Sequence, residues 1–282
     1  MSGCRPEASP AMTPSRLRAL VHLVPWWLVA IGTLIAWLVA EASSDGLYRE
    51  ILGVVSQGIG VTLFVSLVAF AAATTLGLVV ALGLMSTNLA ARQVARFYCE
   101  VVRGVPVLVL LFYVAFVAAP ALVQAVDFVL ARVHPGDGTP AFEPRDFSLM
   151  WRAILALTVS YSAFIAEVFR AGLQSVPRGQ LDAARSLGLT PRQVFHHVTF
   201  PQGLRIILPA LGNDFVSMVK DSALVSVLGV SDITQMAKVY ASGSFTFFET
   251  YNVVALVYLV MTLALSLALR GLERRLRAHE RG

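Results

Sequence analysis

Five polar residues inside an otherwise apolar stretch are the first place where this chain could do chemistry: Asn213, Asp214, Ser217, Lys220 and Asp221. On a helix their spacing puts them along one face. An ammonium flanked by carboxylates can receive a small ligand that carries both charges, with Lys220 meeting its carboxylate and Asp214 or Asp221 its ammonium. The plainer alternative is that Lys220 and Asp221 satisfy each other or a neighbouring helix. Charge within a membrane-spanning helix costs on the order of 3 kcal/mol per residue near the centre, so in such a setting the stripe must face a bundle interior or a wet cavity.

A second constellation repeats. EVVRGVP, from Glu100 to Pro106, and EVFRAGL, from Glu167 to Leu173, each place a glutamate and an arginine at i and i+3. Glu100 with Arg103, and Glu167 with Arg170, read as interfacial ion pairs that anchor helix ends. Other chemistry is excluded more firmly. The chain contains no G-x-x-x-x-G-K-[ST] phosphate loop and no H-E-x-x-H metal motif, and no nucleophile is evident beside a base. His196 and His197 are adjacent, so on a helix they point about 100° apart and cannot share a metal. Cys4 and Cys99 have neither metal nor redox spacing. No catalytic residue, metal site or cofactor is therefore expected on this chain.

The elements that must position these residues are written in the composition. Of 282 residues, 57% are hydrophobic and 14% charged, and the mean hydropathy is +0.72. A soluble domain carries nearer 25% charge, so an all-α integral membrane protein is expected. A hydrocarbon core of about 30 Å needs about 20 helical residues. Six stretches qualify, at 21–40, 54–85, 104–126, 149–170, 204–230 and 250–269. Ala40-Glu41-Ala42 has the form of a signal-peptide cleavage site, but an apolar run of about 20 residues exceeds the 7 to 15 of such peptides. An uncleaved first helix is expected.

The connecting segments alternate in charge. Arg5, Arg16, Arg18, Arg92, Arg96, Arg103, Arg170, Arg178, Arg185, Arg192, Arg205, Arg270, Arg274, Arg275, Arg277 and Arg281 fall on one side, and only Arg49, Arg132, Arg145 and Lys238 on the other. Because short cytoplasmic loops hold the Lys and Arg, both termini are expected in the cytoplasm. The net charge of +5 is then topological rather than a nucleic-acid footprint. Residues 1–20 read as a disordered tail, the outside segment from Asp127 to Phe147, with HPGDGTPAFEP, as a loop, and 273–282 as a basic cytoplasmic tail.

One segment interrupts the apolar pattern. In QLDAARSLGLTPRQVFHHVTFPQG and the residues just before it, Pro177 can start a helix and Gly188 can end it in the left-handed conformation. Thr190-Pro191-Arg192-Gln193 then supplies a capping threonine, a proline at the first helical position and a glutamine three residues on. A second short helix from Pro191 to about Thr199 follows, and Pro201 and Gly203 permit a new direction. A DNA-reading helix-turn-helix uses the same local signals, but it belongs in a globular domain that frees its second helix for a groove. Here spans lie within about ten residues on each side. An ordinary interfacial loop is the remaining plain alternative.

Asp182-Ala183-Ala184, three residues, Gly188, nine residues, then Val198-Thr199-Phe200-Pro201 resembles the cytoplasmic loop of ABC importer permeases, EAA-x3-G-x9-I-x-LP, with Asp182, Val198 and Phe200 as mild departures. EVVRGVPVLVLLFYVAF, SAFIAEVFRAGLQSVPRGQLDAARSLGL, FPQGLRIILPALGNDF and KDSALVSVLGVSDI extend the likeness to the polar-amino-acid branch. The resemblance implies a five-helix transmembrane domain over 54–272, with the 21–40 helix as an N-terminal addition and a coupling loop at 177–201. It implies that Asp182, Ala183, Ala184, Arg185, Gly188, Arg192, Val198 and Pro201 engage an ATPase. Two ATPase subunits carrying ATP and magnesium, a second copy or a similar permease, an external binding protein and the bacterial cytoplasmic membrane follow as expected partners, with no nucleic acid. An ion-gradient-driven transporter or channel is the main alternative, and a membrane-tethered DNA-binding regulator a third. The alternatives predict transport without an ATPase, and a 178–201 segment that folds alone on duplex DNA.

Overall fold

A computed structural model describes residues 26–133 and 147–278. The expected 1–20 tail and the HPGDGTPAFEP stretch lie outside the described residues, as do residues 279–282. The chain divides into two units, Met1–Arg49 and Glu50–Gly282. In the first, helix α1 (Trp26–Ser44) is apolar, and its Thr33 hydroxyl returns to the Val29 and Ala30 carbonyls at 3.0 and 2.9 Å. The boundary falls inside α2 (Gly46–Ser56), whose start is capped by Asp45 accepting from the Leu47 amide at 2.9 Å.

The second unit is built on α3 (Ile59–Leu84) and α7 (Leu149–Gln174), its most extensive helix pair. The reason is legible along α3: Ala69, Ala73, Gly77 and Ala81 recur every four residues, and all are buried. Small residues let two backbones approach where lipid offers no hydrophobic drive. At Gly77 a Cβ would come within 2.8 Å of Ile165 Cγ2 and 2.9 Å of the Ser162 carbonyl. The polar residues of α7 are satisfied locally, Thr158 and Ser160 donating to the carbonyls of Ile154 and Ala156 at 2.7 and 2.8 Å. They therefore sit in the core without breaking it.

Around this pair run α4 (Leu89–Gly104), α5 (Val107–Tyr113), a first π-turn (Val114–Ala118), α6 (Ala119–Val133), α8 (Arg178–Ser186), α9 (Pro191–Val194), a second π-turn (Phe195–Thr199), α10 (Phe200–Asp221), a 3-10 segment (Ser222–Leu228), α11 (Ile233–Ser244) and α12 (Phe247–Ala278). Asn88 caps α4, accepting from the Ala90 amide at 2.9 Å. Val105, before Pro106, is extended and separates α4 from α5, as a residue preceding proline should be. At the other side of the bundle, buried Asp232 caps α11 through the Gln235 amide at 2.8 Å and accepts from Tyr258 of α12 at 3.3 Å. Burial nonetheless pushes its carboxyl above the ordinary range. Thr62 accepts from the Ile233 amide, and Gly58 leaves room for that corner, since a Cβ there would strike the Asp232–Ile233 backbone.

Several expectations change. Among the described residues four stretches are long and apolar enough to cross a membrane: Gly46–Leu84, Val107–Leu130, Leu149–Gln174 and Phe247–Glu273. The 21–40 span begins outside the described residues, which hold its apolar part Val29–Glu41, and α10 does not qualify by composition because it carries the polar stripe. The 204–230 span is divided between α10 and the 3-10 segment, closed by Gly229 at φ 81°. Asp127 to Val133 continues α6 instead of opening a loop. The described part of the expected basic tail, 273–278, is helical and ends α12.

Proline explains one more difference, at Pro201. Pro120 and Pro201 each stand two residues beyond a π-turn. Proline has no N–H for the carbonyl four residues back, and its ring crowds that carbonyl. The chain responds by widening: the Ala119 amide donates to Val114 and the Phe200 amide to Phe195, each five residues back. The expected change of direction at Pro201 is therefore absent, and α9, the second π-turn and α10 run on as one helical path.

Candidate functional site

The two glutamate-arginine repeats meet. On α4, the buried sector holds Ala95, Cys99 and Val102, which turns Arg92, Arg96, Glu100 and Arg103 toward one edge. That edge faces the end of α7. Leu84, Arg96, Cys99, Glu100, Glu167, Arg170 and Gln174 line a cavity of about 390 Å³. The repeat expected as two helix-end pairs behaves differently in its two copies. Arg170 closes onto Glu167 in its own helix, with Nη2 and Nε at 2.6 and 2.8 Å from Oε2, and its Nη1 donates to Gln174 at 2.8 Å. Arg103 instead reaches across to Glu167 at 3.8 Å, with its guanidinium 5.7 Å from the centre of the Phe164 ring. Behind the wall, Tyr98 bonds the Ser162 hydroxyl at 2.7 Å. Burial, and after it the Glu167 charge, pushes the Cys99 thiol up.

Glu167 is thus shared by two cations, of which the second is held at the longer distance and half-exposed. The cavity carries both signs on its wall, Glu100 and Glu167 with Arg96 and Arg170, and Glu167 is held only loosely by Arg103. This suits a small zwitterion, whose ammonium can pair with the carboxylates and whose carboxylate can pair with the lining guanidiniums. The sequence carried the signal as self-similarity. It gave no hint that the two copies converge.

The α10 stripe spreads over one side of the helix. Asn213 and Lys220 are exposed, while Asp214, Ser217 and Asp221 are half-buried. Tyr161 of α7 donates to Asp221 at 2.7 Å, so Asp221 is met from a neighbouring helix, as the plainer alternative allowed. Asp214 Oδ2 is buried without a hydrogen-bond partner among the described residues.

The loop residues are held by local chemistry. α8 ends at Gly188, φ +80°, whose amide donates to Arg185 at 2.9 Å, and Thr190 and Gln193 form the reciprocal capping box. Ala184 is buried and Ala183 exposed, the two pointing about 100° apart on the helix, so that only Ala183 is open to a partner. Asp182 pairs with Arg185 at 3.1 Å in solvent. Arg192 and Pro201 are exposed, and Val198 is half-buried. Leu187, at 82% exposure, and the neighbouring rings of Phe195 and Phe200, 6.1 Å apart, leave apolar surface uncovered. The loop hangs from a close crossing of α7 and α10. At Gly172 a Cβ would collide with Ile207, and at Gly203 it would lie 3.1 Å from the Gly172 carbonyl.

Residues 73–278 match the family described as binding-protein-dependent transport system inner membrane component. The chain is 34% identical over 220 residues to the probable amino-acid permease protein YxeN of Bacillus subtilis (strain 168), covering 77% of this chain and 89% of that one. It is 34% identical over 215 residues to the probable glutamine ABC transporter permease protein GlnM of the same organism, covering 76% and 89%. Among solved structures, a chain of the crystal structure of an amino acid ABC transporter with histidines superposes with a TM-score of 0.69 at 36% identity, covering 82% of this chain and 98% of that one.

Proposed function

The chain belongs to the binding-protein-dependent transport system inner membrane components, and from that premise we propose that it is the membrane-spanning subunit of an ATP-driven importer of polar amino acids. It is homologous to amino-acid ABC permeases. The observation that carries the substrate class is the cavity at Glu167, where two carboxylates, Glu100 and Glu167, and two guanidiniums, Arg96 and Arg170, converge on a space sized for a small zwitterion. The names of the relatives, glutamine for one and histidines for another, agree in chemistry with such a ligand.

ATP and magnesium are bound on two separate ATPase subunits, against which the α8–α9 pair docks with Asp182, Ala183, Arg185, Leu187 and Arg192 outward. Gly188 shapes the turn, while Ala184, Val198 and Pro201 support it. The arginine-rich side, with both termini, lies in the cytoplasm. Lys220 and Asn213 are exposed on a helix that must lie within the bilayer, and charge there faces protein or water rather than lipid. They face a second copy of this chain or a similar permease, and the passage between the two. An external binding protein delivers substrate from the opposite side.

The test is ATP-driven uptake of radiolabelled glutamine and histidine into vesicles holding the complex extracted with this chain. Glu167→Gln removes a charged partner and should weaken uptake at limiting substrate about tenfold. Extraction of a folded chain without any ATPase, with uptake following an ion gradient instead, would sink the importer reading. Lys220→Met with undiminished uptake would remove α10 from the passage.

A further inference from the structure

We propose that the second π-turn, Phe195–Thr199, is the compliant joint between the coupling loop and α10, and that His197 is the positioning residue that sets it. This rests on the importer reading above. The joint is continuous with α9 below and α10 above, so displacement of the loop reaches the polar stripe through this turn. None of its five residues is buried. A wide turn with no buried residue has few packing contacts to lose when it changes shape.

His197 is the side chain that holds the shape. Its Nδ1 lies 3.0 Å from the Gln193 carbonyl; a carbonyl accepts, so the ring donates from Nδ1. Gln193 is also the hub of the capping box: its Oε1 accepts from the Thr190 amide and hydroxyl, both at 2.9 Å, and its own amide donates to Thr190 at 3.4 Å. Thr190, Gln193 and His197 therefore form a chain of hydrogen bonds from the start of α9 into the wide turn. Pro201 forces the turn to widen, and His197 decides which geometry the widened turn adopts. A turn closing five residues back holds one residue more than an α turn, so α and π forms differ in how far α9 is rotated against α10.

The experiment counts ATP hydrolysed per molecule of radiolabelled glutamine imported by the reconstituted complex of this chain, its ATPase and its binding protein. His197→Leu should retain the ATPase through purification and raise that count about fivefold, the factor that one intramolecular hydrogen bond represents. His197→Asn, whose amide reaches the same carbonyl, should restore it. Unchanged coupling in the leucine variant, loss of the ATPase from it, or failure of asparagine to rescue would each overturn the proposal. Should leucine prevent folding, His197→Ala removes the same hydrogen bond with a smaller side chain. ATPase binding is then expected to survive and coupling to fall, and normal coupling would overturn the proposal. Failure of the importer reading looks different: the unmodified complex would itself show no ATP-driven uptake.

Discussion

The two π-turns are the same backbone solution in opposite surroundings. Each lies two residues before a proline, and each closes an amide onto the carbonyl five residues back. Around the first, Val114 and Ala115 are buried, and Arg152 of α7 donates to the Ala115 carbonyl at 3.3 Å and to the Phe147 carbonyl at 2.9 Å. Around the second no residue is buried, and the side chain that bonds the preceding turn is the turn's own His197. Proline thus sets the widening, and tertiary contact decides whether it becomes a fixed bend or a joint. The first is fastened to another helix of the bundle; the second travels with its own loop.

The comparison breaks most visibly if the loop's foundation fails. Gly172→Val puts a branched side chain where even a Cβ collides with Ile207; overpacking of this kind costs about 3 kcal/mol. Thermal unfolding in detergent should shift down further than in Arg152→Met or Thr190→Ala, with the ATPase lost as well. An unshifted transition would mean that α7 and α10 do not need their glycine crossing.

Arg152→Met comes next. Two carbonyls, one in the first π-turn, lose a charged donor; the 2.9 Å bond contributes about 2 kcal/mol and the 3.3 Å one little more. The prediction is a lowered unfolding temperature, with Arg152→Lys partly restored. If the methionine variant were as stable as the parent, the first π-turn would not be pinned and the contrast with the second would collapse. Thr190→Ala removes the cap of α9, which costs about 1 kcal/mol. Here the expected signature is local: faster hydrogen exchange across 190–199 with the α3–α7 core unchanged. Spread of that effect into the core would show that the loop is part of the bundle's cooperative unit.

How much of this could be read beforehand differs by region. The capping box, the Gly188 turn and the helical character of 178–199 follow from signals a few residues long, because caps and left-handed glycines act locally. The α3 ladder of Ala69, Ala73, Gly77 and Ala81 is equally present in the sequence, yet it does not stand out among so many alanines. The cavity was not legible, since it requires α4 and α7, far apart in the chain, to present Arg96 and Glu100, and Glu167 and Arg170, to one space. Proline misled for a physical reason. It forbids one hydrogen bond, which usually ends a helix, and nothing local distinguishes an ending from a widened turn.

The smallest effect draws the sharpest line between folding and partnership. Asp182 and Arg185 pair at 3.1 Å with 68% and 64% of their side chains exposed. An exposed i,i+3 pair contributes less than about 0.5 kcal/mol, and α8 already has its ends fixed by Pro177 and Gly188. Asp182→Ala should therefore leave the unfolding temperature and the exchange pattern of 178–199 within error of the parent. Any loss of co-purified ATPase in that variant then belongs to the surface and not to the fold, which is the behaviour expected of a loop that carries its own structure. A drop in stability as large as that of Thr190→Ala would instead make Asp182 a structural residue, and the surface assigned to the ATPase would have to begin at Arg192 and Leu187.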